Sequence, residues 1–534
     1  MNVRFQRFVL SCTFLLVLCL CNSCRDNRKQ DIFSTYEDRT AIAYGPYRII
    51  RLPITKGVTI QNPIQISAGP GGIIYASNAS GAIYRLVDSD SDGVEDEAGL
   101  YCSVADNGLH NPGGFAYRGD TVFIGTREEI RAYIDIDKDG KADSSWTFFK
   151  DIPQSEHPYE WISGLCFGKD NYLYGAITTD SWNAGASPDP RGYRGAIIRI
   201  SPDGKQAERL ATGIRSVYGM SFHPDGTLYF ADNEGGGNPT EELNRLVPGK
   251  FYGHNAKKYK PTDSTEKPVL SFQMELAPSG MEFNSTDNDF GGTGGDLFVA
   301  FYGPAERWKR GGIARVRISK AESGKIELAE YPVADIPKLS DLAFGRDGSL
   351  YAATHGVADY WYNPIQESSG GFYKMVYDPK RKGKTEQQRS VKQETFSSSS
   401  LEKGKDLYKT TACFACHTTE DGQELLGPTL NGLGNRMSRE EIYESIMNPS
   451  AIIKPSMEGT KITLKDGKVL LGRIVNANEQ QFDLMLIGNK VFQVKRTEIA
   501  TIETQKKSLM YEGLIKNLPK ADQESLLDYL QSLK

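Results

Sequence analysis

The sequence predicts a mainly β protein: a six-bladed β-propeller followed by a small, mostly α domain with a β-rich insert. Three observations predict it. Between residues 41 and 378 one pattern recurs six times, a short apolar strand, a Gly or Asp-Gly turn, then a second strand ending in Tyr or Phe. A charged, Ser-rich stretch over 379–400 interrupts that pattern. Behind it, Cys413-Phe-Ala-Cys416-His417 has the spacing of a covalent haem-attachment signature. A chain of 534 residues is also too long for one ordinary core.

The chain opens with Arg4 and Arg7 and then an apolar run, Phe8 to Cys21. About 14 apolar residues fall short of the roughly 20 that span a bilayer, so residues 1–23 are expected to be a secretory signal. Small and polar residues end it just before Cys24, which resembles a bacterial lipoprotein signal. That resemblance implies a lipid on Cys24, a tether over 24–40 and attachment to a membrane of the periplasm or cell envelope. Leu is usual three positions before the lipidated Cys, and Cys21 stands there, so an ordinary cleaved signal is the alternative. Export is expected on either reading, because thioether attachment of haem needs an exported, oxidising compartment.

The six repeats are "PIQISAGPGGIIYASN", "PGGFAYRGDTVFIGT", "ISGLCFGKDNYLYGAI", "VYGMSFHPDGTLYFAD", "PSGMEFNSTDNDFGGTGGDLFVAF" and "LSDLAFGRDGSLYAAT". Third strands follow, as in "GAIYRLVD", "EIRAYIDI" and "GGIARVRIS". Apolar residues alternate with small or polar ones, as half-buried antiparallel strands require. Six such units in sequence fit a propeller, whose radial packing buries blade faces against one another. Two stacked sandwiches would not need this regularity.

Residues 401–534 begin with a short helix leading into the haem signature. Cys413 and Cys416 would form the two thioether bonds and His417 would ligate the iron. A zinc site is excluded by ligand supply, since neither His nor Cys follows position 417. Pro428, in "GPTL", is placed to accept the imidazole N–H of His417. The second axial ligand is then expected to be Met437, Met447, Met457, Met485 or Met510. Met510 precedes the apolar terminal helix "PKADQESLLDYLQSL", as the methionine loop does in small c-type cytochromes, and is the expected ligand. The β-rich segment 459–503 is an insert that a plain cytochrome c lacks. With "CFACHT", "GPTLNGLG", "IYESIMNPSAIIKP", "KDGKVLLGRI" and "SLMYEGL", the domain resembles the haem-binding domain at the C-termini of large exported bacterial dehydrogenase-like proteins. Tyr511 departs from that family, which has Pro after the Met.

Residues 60–375 resemble, patchily, the soluble glucose and sorbosone dehydrogenases, which hold pyrroloquinoline quinone (PQQ) on six blades. The resemblance runs through "ATGIRSVYGMSFHPDGTLYFADNE", "EELNRLVPGKFYGHN", "APSGMEF" and "GGIARVRIS". It implies that Arg215, Arg315 and Arg317 grip the PQQ carboxylates, for which the planar guanidinium is suited. It also implies that His157 is the base taking the hydroxyl proton of an alcohol or sugar. Ser216-Val217 replaces the family's Asn-Pro after the Arg, and His157 lies about three residues off the expected spacing. His110 is a lesser candidate at the pocket.

Two acidic turns follow the first nine positions of a calcium loop: Asp88, Asp90, Asp92 and Asp96, and Asp135, Asp137, Asp139 and Asp143. Both lack the twelfth-position Glu, having Gly99 and Trp146 there, so solvated turns are the alternative. Cys102 and Cys166 are left as either one disulfide or two buried thiols. The formal net charge of −5 carries no electrostatic footprint for nucleic acid. The expected function is haem electron transfer, with a sugar or alcohol oxidised at the propeller and electrons leaving to a cytochrome or quinone-linked chain. A non-catalytic binding propeller carrying a cytochrome relay is the alternative.

Overall fold

The computed structural model describes residues 33–533 except 39, 79, 154–160, 180–191, 234–239, 255–264, 273–275, 304–310, 321–325, 356–369, 382–395, 420–424, 438, 452, 454–456, 478–479 and 506. Six sheets follow one another along residues 42–377, each a four-stranded antiparallel meander, three of them with a short extra strand. Their inner strands are Pro63–Ala68, Gly114–Arg118, Ile162–Phe167, Val217–Phe222, Pro278–Phe283 and Leu339–Phe344, defining blades 1 to 6. Every predicted repeat is therefore the first strand pair of one blade, and the mainly β, six-bladed expectation holds.

The core explains the ring. Among the described residues, each of six buried apolar clusters joins two neighbouring blades, and none lies within one blade. Tyr75, Tyr101, Phe115 and Ile124 fill the seam between blades 1 and 2, and Phe123, Ile130, Ile162 and Ile198 that between 2 and 3. Ile197 and Phe230 join 3 to 4, Tyr229 and Met281 join 4 to 5, and Phe298 and Leu342 join 5 to 6. Ile66, Tyr84, Tyr351 and Phe372 close 6 onto 1.

Each inner strand also has one ladder edge with no strand beside it, and those backbone groups need partners. Side chains of the preceding blade supply them. Ser163 Oγ donates to Val217 O (2.6 Å), Ser279 Oγ to Leu339 O (2.7 Å) and Ser340 Oγ to Pro63 O (3.0 Å). In each case the second residue of one inner strand reaches the first residue of the next. Farther along the strands, Glu282 accepts from Phe344 N (2.7 Å) and Asp341 from Ile66 N (3.1 Å).

The N-terminal segment locks the closure. Tyr47–Arg51 is the outer strand of blade 6, antiparallel to Gly371–Tyr377, and Ile42–Ala43 extends blade 5. Lys374 of blade 6 reaches across the last seam to Gly93 O (2.8 Å) and Glu95 (3.4 Å). The sequence reading had no strand in 42–51.

The second domain contains helices Ser398–Thr410, Leu433–Arg436, Arg439–Met447 and Lys520–Ser532. The first helix starts inside the Ser-rich end of the predicted linker, where Ser397 caps it through Ser400 N. It crosses the terminal helix closely at Gly404, where a Cβ would stand 2.0 Å from Ser525 O. The insert is a five-stranded sheet between the third and fourth helices, with Ile462, Leu470, Leu484 and Val494 at its own small core.

Candidate functional site

The haem-attachment loop is built as its chemistry requires. A short 3-10 turn over Cys413–Ala415 spaces two free, partly exposed thiols. His417 Nδ1 lies 2.8 Å from Pro428 O, and since a carbonyl can only accept, Nδ1 carries the proton and Nε2 is the ligating nitrogen. Tyr408 anchors the backbone by donating to His417 O at 2.7 Å. A Cβ on Gly427 would meet the His417 ring at 2.6–3.0 Å, so the glycine leaves the imidazole its place. These residues fit a covalent haem: two thiols, an oriented imidazole and an apolar wall. That wall holds Cys413, Leu430, Met437, Met447 and Met510 in one cluster around Tyr408, Leu433 and Ile515. Met510 is thus placed with the attachment loop, as are Met437 and Met447, whereas Met485 is buried in the insert sheet.

In the propeller, the buried polar residues Asp232, Glu242, His254 and His355 lie at the end where the inner strands begin. Arg215 stands two residues before the inner strand of blade 4, and its N–H donates to both oxygens of Asp232 (3.0 and 3.1 Å). Asp232 ends the second strand, opposite Glu242 on the third. Both acids are buried. Burial pushes the Asp232 carboxyl up to about 6 against the opposing pull of the Arg215 and Ser216 amides. Burial, then the Asp232 charge, pushes Glu242 up to about 8. Near them His254 is held down to about 3 by burial and then by Arg215, so its imidazole is neutral. On blade 6, His355 is likewise lowered to about 3 by burial and Lys338. Both imidazoles are therefore neutral near pH 7, weak bases that can still hydrogen bond.

Lys338 was missed by the sequence reading. It precedes the inner strand of blade 6, and its ammonium lies 4.7 Å from the centre of the Tyr302 ring. Its φ is +53°, and Ala277, before the inner strand of blade 5, has φ +49°. Left-handed backbone at residues other than glycine costs energy and is concentrated where function needs it. A cation immediately before an inner strand is the sequence signal that would have found it.

Arg315 and Arg317 correct the expectation. They lie on the third strand of blade 5, where Phe298 pairs with Arg315 near the start of the second strand, at the end opposite Arg215. Asp296 lies 3.7 Å from Arg315 and 3.5 Å from Arg317. Tyr331 packs under both guanidiniums, at 4.6 and 5.8 Å. They are a blade's internal ion cluster and do not join Arg215. His157 and Cys24 lie outside the described residues. His110 is exposed and pairs with Glu128 at 2.8 Å.

The acidic turns lie between third and fourth strands of blades 1 and 2, also away from the polar mouth. Carboxylate oxygens of Asp88, Asp90 and Asp92, and separately of Asp135, Asp137 and Asp143, lie within 4.8 Å of one another. Asp139 is replaced by Asp143 in the second group, and Asp96 is engaged by Lys56 and Ser89 N. Cys102 and Cys166 are separate free thiols in the seams of blades 1–2 and 3–4, raised well above the usual thiol range by burial. The disulfide alternative is thereby removed.

Comparison with known proteins agrees with this division. Residues 401–486 match the cytochrome c family, and residues 61–298 match a domain of unknown function, DUF7133. No curated protein matches the chain. Similar solved structures include the PQQ-bound aldose sugar dehydrogenase of Streptomyces coelicolor, at 18% identity, 62% of this chain, 99% of that chain and a TM-score of 0.46. The apo soluble aldose sugar dehydrogenase of Escherichia coli has 17% identity, covers 62% and 99%, and scores 0.46. The holo PQQ domain of Coprinopsis cinerea pyranose dehydrogenase has 14% identity, covers 64% and 98%, and scores 0.48. The C-terminal part is a cytochrome c domain, and electron transfer is its function.

The buried acid Glu242 makes stability depend on pH. Its ordinary value of 4.5 is raised to about 8 on folding, so its contribution is full below about 4.5 and is lost as pH rises through about 8. Thermal unfolding across that window should show a falling midpoint that E242Q flattens. Equal slopes in both proteins would contradict the assignment.

Proposed function

We propose that this chain is an exported, lipid-anchored dehydrogenase fused to its own electron acceptor. A sugar or other polyol is oxidised at the propeller mouth, and the electrons pass through haem c to a cytochrome or quinone-linked chain. The observation that carries the reading is the polar mouth on a chain that also bears the haem loop. Arg215, Lys338, two buried acids and two neutral imidazoles gather at one end of the ring.

Pyrroloquinoline quinone, when bound, supplies two-electron oxidation of an alcohol. Arg215 and Lys338 are the cations that suit its carboxylates, and the ion cluster of Arg315 and Arg317 is not assigned to it. The neutral imidazoles of His254 and His355 orient by hydrogen bonding, while His157 is the proposed acceptor of the hydroxyl proton. Calcium, if held by the two acidic turns, braces blades 1 and 2 and takes no part at the mouth. Met510 is the proposed second iron ligand and Cys24 the anchor.

The test loads purified full-length protein with PQQ and calcium and follows haem reduction by aldoses, polyols and aldehydes. R215Q and K338Q should each slow reduction by about 10- to 100-fold, the worth of one charge-assisted hydrogen bond. R315Q should stay within about twofold in rate but unfold earlier, because it leaves the buried Asp296 carboxylate with Arg317 alone. No reduction by any substrate, or an R315Q defect equal to that of R215Q, would leave the propeller as a binding module with a haem relay. M510A should abolish the charge-transfer absorption of methionine-ligated ferric haem, and its persistence would move the ligand to Met437 or Met447. The mass of the mature N-terminal peptide tests the anchor, with an unmodified Cys24 contradicting it.

A further inference from the structure

We infer that the β insert tunes the haem through Arg473 and Asn489, two positioning residues that hold both arms of the attachment loop. The inference rests on the haem c reading of that loop. One arm runs through Cys413–His417 and the other through Leu425–Pro428, and the His417 ring is fixed between them by Pro428 O and the bare backbone of Gly427.

The insert reaches both arms. Asn489 sits in the turn between strands Gln481–Leu486 and Lys490–Lys495, with a left-handed φ of +60° that Asn tolerates. Its Nδ2 donates to Ala415 O at 2.8 Å, next to Cys416, and its Oδ1 accepts from Leu426 N at 2.9 Å, next to Gly427. One side chain therefore ties the cysteine arm to the proline arm. Arg473, on strand Val469–Ala477, is only 3% exposed. Its Nε donates to Leu426 O (3.1 Å) and its Nη2 to Leu425 O (2.6 Å).

Two consequences follow from elementary electrostatics and geometry. A guanidinium fixed in a buried place acts through a low dielectric, and a positive charge there disfavours ferric relative to ferrous iron. It also fixes the carbonyls of Leu425 and Leu426, which accept from it. The clamp of Asn489 sets how firmly Gly427 and Pro428 hold the imidazole. Both contacts come from the insert sheet, which thus gains a role in setting the haem potential.

The experiment compares wild type, R473Q, R473K and N489A as full-length proteins, with covalent haem quantified first. Spectroelectrochemical titration should place R473Q about tenfold toward the ferric form, a fall of about 59 mV for one electron. R473K, which keeps the charge and loses the fork, should recover most of that fall. N489A should keep the potential nearer wild type and raise hydrogen exchange at the Leu426 amide about tenfold. Should R473Q fail to fold, R473K and N489A still decide through exchange at the same amide. An unmoved R473Q potential with haem fully attached, or unchanged Leu426 exchange in N489A, overturns the inference alone. Wild-type protein lacking covalent haem would overturn the cytochrome reading and this inference with it.

Discussion

The burial of blade faces only against neighbouring blades is the constraint on which the propeller depends. Among the described residues, its six apolar clusters are all seams, and no blade carries a core of its own. The last seam decides whether the ring exists. It is made by Ile50 and Leu52 of the N-terminal segment, by Ile66 and Tyr351, and by Lys374 crossing to the turn of blade 1. The open edges of the inner strands add a polar version of the same demand, met by Ser163, Ser279, Ser340, Glu282 and Asp341 from one blade to the next. A closed ring gives a rigid mouth, and rigidity lets Ala277 and Lys338 hold backbone conformations that a loose loop would relax.

That rigidity divides the propeller's chemistry between its two ends. Arg215, Asp232, Glu242 and His254 are neighbours at one end. There burial and then Arg215 lower His254, Arg215 opposes the rise that burial gives Asp232, and burial and then the Asp232 charge raise Glu242. The other end carries Asp-rich turns and the Asp296 cluster with Arg315 and Arg317, whose partners are already within the blade. In the haem domain the same logic recurs on a smaller scale, where one imidazole is oriented by one carbonyl and one missing Cβ.

Much of this was legible in the sequence, because the signals involved are local. Period-two alternation with Asp-Gly turns located the inner strand pair of every blade, and the Cys-x-x-Cys-His spacing located the haem loop. The remainder is non-local. Tyr47–Arg51 looks like any short strand, and only the ring's closure against Gly371–Tyr377 makes it one. Arg315 and Arg317 alternate along a strand in the same way whichever end of the blade they approach, and the position of Asp296 settles the matter. Counting cysteines left Cys102 and Cys166 open between one disulfide and two thiols, and only their placement in different seams decides for two thiols. Asp139 fits the calcium-loop register, but the fold brings Asp143 inward instead. Arg473 and Asn489 act across 47 and 63 residues, beyond the reach of any motif.

The central claim is that oxidation at the mouth feeds the haem of the same chain. The most direct measurement mixes PQQ-loaded, oxidised protein with an aldose under anaerobic conditions and follows the appearance of ferrous haem. The account predicts reduction with a first-order rate that does not change with protein concentration. Haem that stays ferric, or is reduced only at a rate rising with protein concentration, would contradict it.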